Sequence, residues 1–293
     1  MSTLWSAAVT GAARLSTARP IYVLAALALY VVSLFITGAR WRGFLRALGS
    51  NVTIVEASLA TLGGIAAGNI TPSRVGTDPC RISLVRLTTT VTWPQVTLAA
   101  AWDRLSEVPS VAILAVMSAI ALHRIDASWT RTAAWIAGGV AIVGLAIGIH
   151  RIRSTSSPRG WIARLKLDQM TPSVFAAGVG YSALLWLQDV VRLACDGLAV
   201  GVHLTATQTA TLAMSTIVGG LVPTVGGLVV VEGGLIAGLV AFGVDLPSAV
   251  ALTAVERAIS YGFSTVSGGL VVLLMAGRSL RAMATRGSES LGN

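Results

Sequence analysis

An all-α polytopic membrane protein is the fold class this chain predicts: a helical bundle with two re-entrant units broken by Pro and Gly, arranged as an inverted repeat. Three observations predict it. The 293 residues are 54% hydrophobic and only 11% charged, with a mean hydropathy of +0.78; soluble domains carry about a quarter charged residues. Apolar runs recur along the whole length, and no polar stretch is long enough for a separate soluble catalytic domain. Finally, two apolar segments are interrupted in the same way. Gly68, Pro72 and Gly76 share the frame Gly-x3-Pro-x3-Gly with Gly219, Pro223 and Gly227.

Residues 1–20 are short and mildly basic, with Arg14 and Arg19. They suit either a stretch along the membrane surface or a partly ordered tail. Ile21 to Gly38 reads as the first span and as a retained helix, without the small-residue cleavage site of a signal peptide. Arg40, Trp41, Arg42 and Arg46 follow it, the pattern of a cytoplasmic helix end.

Residues 52–70 are apolar and Gly-rich and lead into the first break. Residues 71–95 hold Arg74, Asp78, Arg81 and Arg86, too many charges to cross lipid alone. The stretch 52–92 is therefore expected as a re-entrant hairpin or a pair of half-helices packed inside the bundle. A backbone broken at membrane depth survives only where protein or a wet cavity covers it. Residues 95–122 are expected as a long helix with Asp103, Arg104, Glu107 and Pro109, and 132–149 as a clean span. The loop 150–172 is the most basic and should be cytoplasmic. A span over 173–200 carries Asp189, Arg192 and Asp196 at a spacing that lets them pair along one face. The second broken unit covers 206–243, and 247–276 is the last long helix. The tail, with Arg278, Arg281 and Arg286, is again expected in the cytoplasm.

The domain reading is a tail over 1–20, one transmembrane domain over 21–278 with repeat units of about 52–122 and 206–276, and a tail over 279–293. A single span separates loop 150–172 from the second unit. If both units return to their own side, they enter from opposite faces. That is the inverted-repeat arrangement in which a substrate site lies between the repeats near the midplane.

A charge at membrane depth costs at least about 2.5–3.5 kcal/mol, so each one is a functional candidate. Arg104 and Arg257 both follow an acid, Asp103 and Glu256, at nearly equal distances from Pro72 and Pro223. A guanidinium stays charged and its planar fork matches phosphate. Arg104 has Glu107 one turn along its own helix; Arg257 has no such neighbour, and Glu232 is the expected counter-charge. Adjacent helical residues do not face each other, so Asp103 and Glu256 are expected to serve other arginines, Arg81 among them. Asp78 and Arg81 lie at a probable helix start, where Asp78 either caps the helix or joins Arg81 at an anion site. Asn69 would bond backbone groups freed at the break. The candidate binding residues are Arg81, Arg104, Arg257, Glu232, Asp78, Asp103 and Glu256. The candidate path is lined by Gly68, Pro72, Gly76, Pro223, Gly226 and Gly227.

Cys80 and Cys195 have no redox or metal spacing. His123, His150 and His203 are dispersed, so neither a metal nor a cofactor is expected. No nucleotide-binding loop or common hydrolase motif occurs. The net charge of +9 is scattered between spans, which suits anionic lipid head groups and not nucleic acid.

Pro72-x3-Gly76-x-Asp78-x2-Arg81, Asp103-Arg104, Pro223-x2-Gly226-Gly227-x4-Glu232 and Glu256-Arg257, in that order, resemble the flippase-type transmembrane domain of lysylphosphatidylglycerol synthases. The resemblance covers roughly residues 20–278. It implies an inner-membrane protein that moves a phospholipid or a polyprenyl-phosphate-linked lipid between leaflets. In two-part members a cytosolic domain makes the aminoacyl lipid; nothing in these residues corresponds to it, so synthase activity is not expected. Val229-Val230-Val231 stands before Glu232 where relatives often carry small or polar residues, so no head-group preference carries over. The expected function is a non-enzymatic lipid translocator. Its partners would be an anionic phospholipid or polyprenyl phosphate, with a homo-oligomer left open. Two alternatives stand beside it: a lipid-phosphate transferase with Asp78 or Glu232 as base, and a scaffold for a separate synthase or glycosyltransferase.

Overall fold

The computed structural model describes residues 10–121 (except 12 and 73), 171–221 and 229–290. The expected span 132–149, most of loop 150–172, and Pro223, Gly226 and Gly227 lie outside the described residues. Among those described, the chain is helical and without strands.

Helix α1 (Pro20–Ala47) opens on a proline whose missing N–H is no loss at a helix start and ends beside Gly49, at φ 85°. Helix α2 (Ile54–Asn69) begins with a capping box, in which Thr53 and Glu56 satisfy each other's backbone N–H. After a turn comes α3 (Thr77–Thr88) and then α4 (Trp93–Ala121), with Pro109 inside it. Helix α5 (Pro172–Ala199) again opens on proline, capped by Thr171. Helix α6 (Ala206–Leu221) follows a second box, Thr205 with Gln208. Helices α7 (Val230–Ala241) and α8 (Leu246–Arg257) come next. The chain then widens into a π-helical turn, Ala258–Phe263, and continues as α9 (Ser264–Ser290).

Among the described residues, three stretches are long and apolar enough to cross a membrane: Pro20–Ala47, Pro172–Ala199 and Leu246–Gly277. At about 1.5 Å per residue, α2 reaches about 24 Å, and α3 and α7 about 18 Å, short of a hydrocarbon core of about 30 Å. Within the stretch 52–92, α2 and α3 pack against each other as a pair of short helices. The two meet closely: a Cβ on Gly64 would sit 2.6 Å from the Thr77 carbonyl oxygen, and one on Gly68 would collide with the Thr77 hydroxyl.

The element starts 20, 54, 77 and 93 recur at 172, 206, 230 and 246, a near-constant shift. Lengths recur too: 28, 16 and 12 residues for α1–α3 and the same for α5–α7. Trp41, Phe44, Leu45, Ala60, Ile82, Val85 and Val96 form the core of α1–α4. Leu193, Leu212, Leu235, Leu239 and Leu252 form that of α5–α8. A third cluster, with Ala26, Tyr30, Leu62, Val255 and Ile259, joins the two sets. The N-terminal segment is also tied down: Arg14 pairs with Asp245 at 3.2 Å and bonds Ser248 at the start of α8, and the Arg19 N–H donates to the Ala199 carbonyl.

One expectation is corrected here. Arg40 and Trp41 do not form an interfacial helix end. Helix α1 continues well past Gly38, and both side chains turn inward, 3% and 0% exposed. A helix of 28 residues outruns the bilayer core, so its last turns can pack on protein instead of meeting the head groups.

Candidate functional site

Asp103 is fully buried on α4 and accepts from two guanidiniums, Arg40 Nε and Arg81 Nη1, both at 2.7 Å. Arg40 also bonds Ser182 of α5 at 2.8 Å and Glu107 at 2.5 Å. Arg81 lies 2.7 Å from Asp78 and stacks over Trp41, its carbon 4.6 Å from the ring centroid. Asp78 reaches past Arg81 to bond Arg104 twice, at 3.0 and 3.1 Å. Glu107 sits 3.3 Å from Arg104 on the same helix. Asp78 thus joins two arginines, while the α3 start at Gly76 has no side-chain cap.

A second network lies on the other helices. Arg192 of α5 meets Asp189 and Asp196 at 3.3 Å, one turn to either side, and Glu256 of α8 at 3.4 Å. Arg257 Nε lies 2.6 Å from Glu256, and its Nη1 is 3.8 Å from Glu232 at the start of α7. The contact between neighbours Glu256 and Arg257 corrects the expectation that they would not pair. The helix widens directly after Arg257, and the long Arg side chain folds back to its neighbour's carboxylate. Asp103 and Arg104 keep separate partners, as adjacent positions on a regular helix do.

The networks share three matching positions and one matching turn. Arg40 and Arg192 occupy the same place in α1 and α5; Asp103–Arg104 and Glu256–Arg257 the same place in α4 and α8. Asp78 and Glu232 each lie in the first turn of the second short helix. Beyond each acid–Arg pair the helical ladder is disturbed, by Pro109 in α4 and by the π turn after α8.

The two halves touch at the tip of the first hairpin. Asn69 donates to Ser264 Oγ and Thr265 Oγ1, both at 2.9 Å, and its carbonyl accepts from Tyr261 at 3.0 Å. Asn69 therefore fastens the hairpin to the π turn and does not serve backbone freed at its own break, as expected above. Five residues on, Arg74 is exposed, in a left-handed conformation at φ 55°. Its backbone bonds Thr71 and Thr77, but its guanidinium has no hydrogen-bond or ion-pair partner among the described residues. It stands within electrostatic reach of Arg257, Glu256 and Arg104.

Of the candidate binding residues, Arg81 is 2% exposed and already holds two carboxylates. Arg104 is the most open, its side chain 45% exposed. Arg257 Nη1 and both Glu232 carboxylate oxygens are buried without a hydrogen bond. Of the path residues, Gly68 and Gly76 pack within the hairpin against Thr77 and Thr71, and Pro72 is exposed in its turn. No group of three potential metal ligands occurs among the described residues.

Residue-by-residue reading missed Arg40, Arg74 and the link from Arg192 to Glu256. A signal existed for two of them: Arg40 and Arg192 stand equally far from Pro20 and Pro172, which open their helices. Arg74 offered none beyond its charge.

Apolar spans, short paired helices and a charged interior define a polytopic helical membrane protein. The family model of the lysylphosphatidylglycerol synthase TM region matches residues 4–268, and the chain belongs to that family. It is similar to UPF0104 membrane protein PH1989 of Pyrococcus horikoshii, 24% identical over 315 residues that cover 92% of each chain. No solved structure matches it.

Proposed function

We propose that the protein is a membrane lipid translocator that receives a lipid phosphate between Arg74, Arg104 and Arg257. The observation that carries this reading is Arg74: an unpaired guanidinium at the hairpin tip, in reach of the two arginines that occupy equivalent places in the two halves. Arg104 and Arg257 already contact acids while the Arg74 guanidinium does not, and an anion would supply its counter-charge. Arg104 and Arg257 are each held by an acid of a short helix, Asp78 and Glu232. The short-helix pairs α2–α3 and α6–α7 are read as re-entrant units of an inverted repeat, with the phosphate received at the tip of the first. Arg40, Arg81 and Asp103 form the fixed frame beneath. Membership of a family named for a transmembrane region, not for a catalytic domain, supports a non-enzymatic role.

The test is translocation in proteoliposomes. Head-group-labelled phospholipids and a polyprenyl phosphate are offered to wild type, Arg74→Gln and Arg257→Ala. Movement of an anionic lipid by wild type, lost in both variants at unchanged melting temperature, is the expected result. No movement of any lipid above empty vesicles defeats the reading and leaves a scaffold for a separate lipid enzyme.

A further inference from the structure

The two networks occupy equivalent positions but differ in charge. In the first, Asp78, Asp103 and Glu107 face Arg40, Arg81 and Arg104, three against three. In the second, Asp189, Asp196, Glu232 and Glu256 face Arg192 and Arg257 alone among the described residues. The position matching Arg81 is Gly234, while Asp189 and Asp196 stand where the first half has Thr37 and Phe44. The second network thus has one cation fewer and one acid more.

A surplus of buried carboxylates has to be neutralised, because desolvating an unpaired charge costs several kcal/mol. Asp196 is fully buried, and its Oδ1 has no hydrogen-bond partner. A cavity of about one water is lined by Asp189, Arg192, Leu193, Ala213, Thr216 and Glu256, and Arg192 joins it to Asp196. Asp189, its side chain 38% exposed, gives the cluster an opening. A metal cation fits poorly, since no three potential ligands gather among the described residues.

We propose that this cluster takes up a proton, held on Asp196, and that the proton is the coupling ion for lipid movement. The coupling half of the proposal rests on the phosphate reading above. The proton enters by way of Asp189 and binds a carboxylate oxygen; no covalent bond of the chain changes. The charged and titratable groups around the cluster are Tyr30 of α1, Cys195 of α5, Glu232 of α7, Glu256 and Arg257 of α8, and Arg74 of the hairpin tip. Arg74 is taken as the link: it follows the hairpin tip that Asn69 fastens to the turn directly after Glu256–Arg257. A phosphate bound at Arg74 adds negative charge on the side of these acids, so lipid binding draws a proton in. By reciprocity, protonation tightens lipid binding by the same factor.

The first readout is infrared and needs no transport. Reconstituted wild type at neutral pH is expected to show the carbonyl stretch of a protonated carboxylic acid, shifted in heavy water. The band should vanish in Asp196→Asn and persist in Asp245→Asn, a surface control. Should Asp196→Asn fail to fold, the wild-type band is titrated instead and must disappear at alkaline pH. Absence of the band in wild type overturns the proposal, as does its persistence in a folded Asp196→Asn. The second readout is translocation with and without an imposed pH gradient, where a several-fold acceleration in one orientation is expected. Lipid movement indifferent to the gradient overturns coupling while leaving the phosphate reading intact. A band that responds to Asp196 without any lipid movement defeats the phosphate reading and the coupling, and keeps the proton site.

Discussion

Arg40 donates to Asp103 at 2.7 Å across 63 residues of chain, and both side chains are sealed from solvent. Breaking a buried pair from one side leaves an uncompensated charge and costs about 3–5 kcal/mol. Asp103 holds Arg81 as well, so Asp103→Ala should fall at the top of that range. A thermal melt in detergent checks this. A loss smaller than that of Glu107→Ala, whose carboxylate is partly exposed, would contradict the assignment of Asp103 as the centre of the network.

Gly64 and Gly68 let the hairpin legs close. Gly64→Val would place its branched side chain against the Thr77 carbonyl and the Arg81 stem. Overpacking of this kind costs about 1–3 kcal/mol. Gly180 has open space around its added Cβ, and Gly180→Ala should leave the melt within about 0.5 kcal/mol of wild type.

Two capping boxes begin α2 and α6. Removing one N-cap hydroxyl costs typically about 1 kcal/mol. Thr53→Ala and Thr205→Ala should therefore lower stability by similar amounts, and the double variant by their sum, since distant sites add. Equal and additive shifts in chemical denaturation are the expected outcome.

Asp245 caps α8 from outside the span. Its carboxylate accepts from the Ser248 hydroxyl at 2.7 Å and the Ser248 N–H at 3.2 Å. The Ser248 side-chain bond, aided by its backbone N–H and Arg14, holds the Asp245 pKa below the ordinary carboxylate value. A folded pKa below the unfolded one contributes stability that is present above the unfolded value. That contribution disappears as pH falls through the folded value. The gap in melting temperature between wild type and Asp245→Ala should thus be constant near neutrality and narrow in acid. Because the side chain is 55% exposed, the effect is small.

Arg257 and Glu232 form a loose pair at 3.8 Å, with Arg257 Nη1 and both Glu232 oxygens making no hydrogen bond among the described residues. Arg257→Lys keeps the charge but loses the fork. It should retain stability and lose most lipid movement, whereas Arg192→Lys should lose stability, because Arg192 is enclosed by three acids. A melt and a translocation assay on the same preparations separate the two roles.

Much of the architecture was legible from residue order. Pro20, Pro172 and the capping boxes at Thr53 and Thr205 mark helix starts because local backbone chemistry demands those residue types there. The glycine frame around Pro72 marks the first break for the same reason. Low charge over the whole chain determined membrane residence, and the order of the acid–Arg motifs determined the family. The partners of Arg81, Arg192 and Arg257 were not legible to the same degree. Arg40 read as an interfacial residue because a basic cluster after an apolar run looks alike whether it meets head groups or a buried acid on another helix. Periodicity tells which face of a helix is apolar, but not which distant helix will cover it. Only the packing of α1 on α5 and α4, and of α8 on α5, decided that Asp103 takes Arg40 and Arg81 while Glu256 takes Arg192 and Arg257. Coulomb attraction acts over a few ångströms of space and is indifferent to separation along the chain.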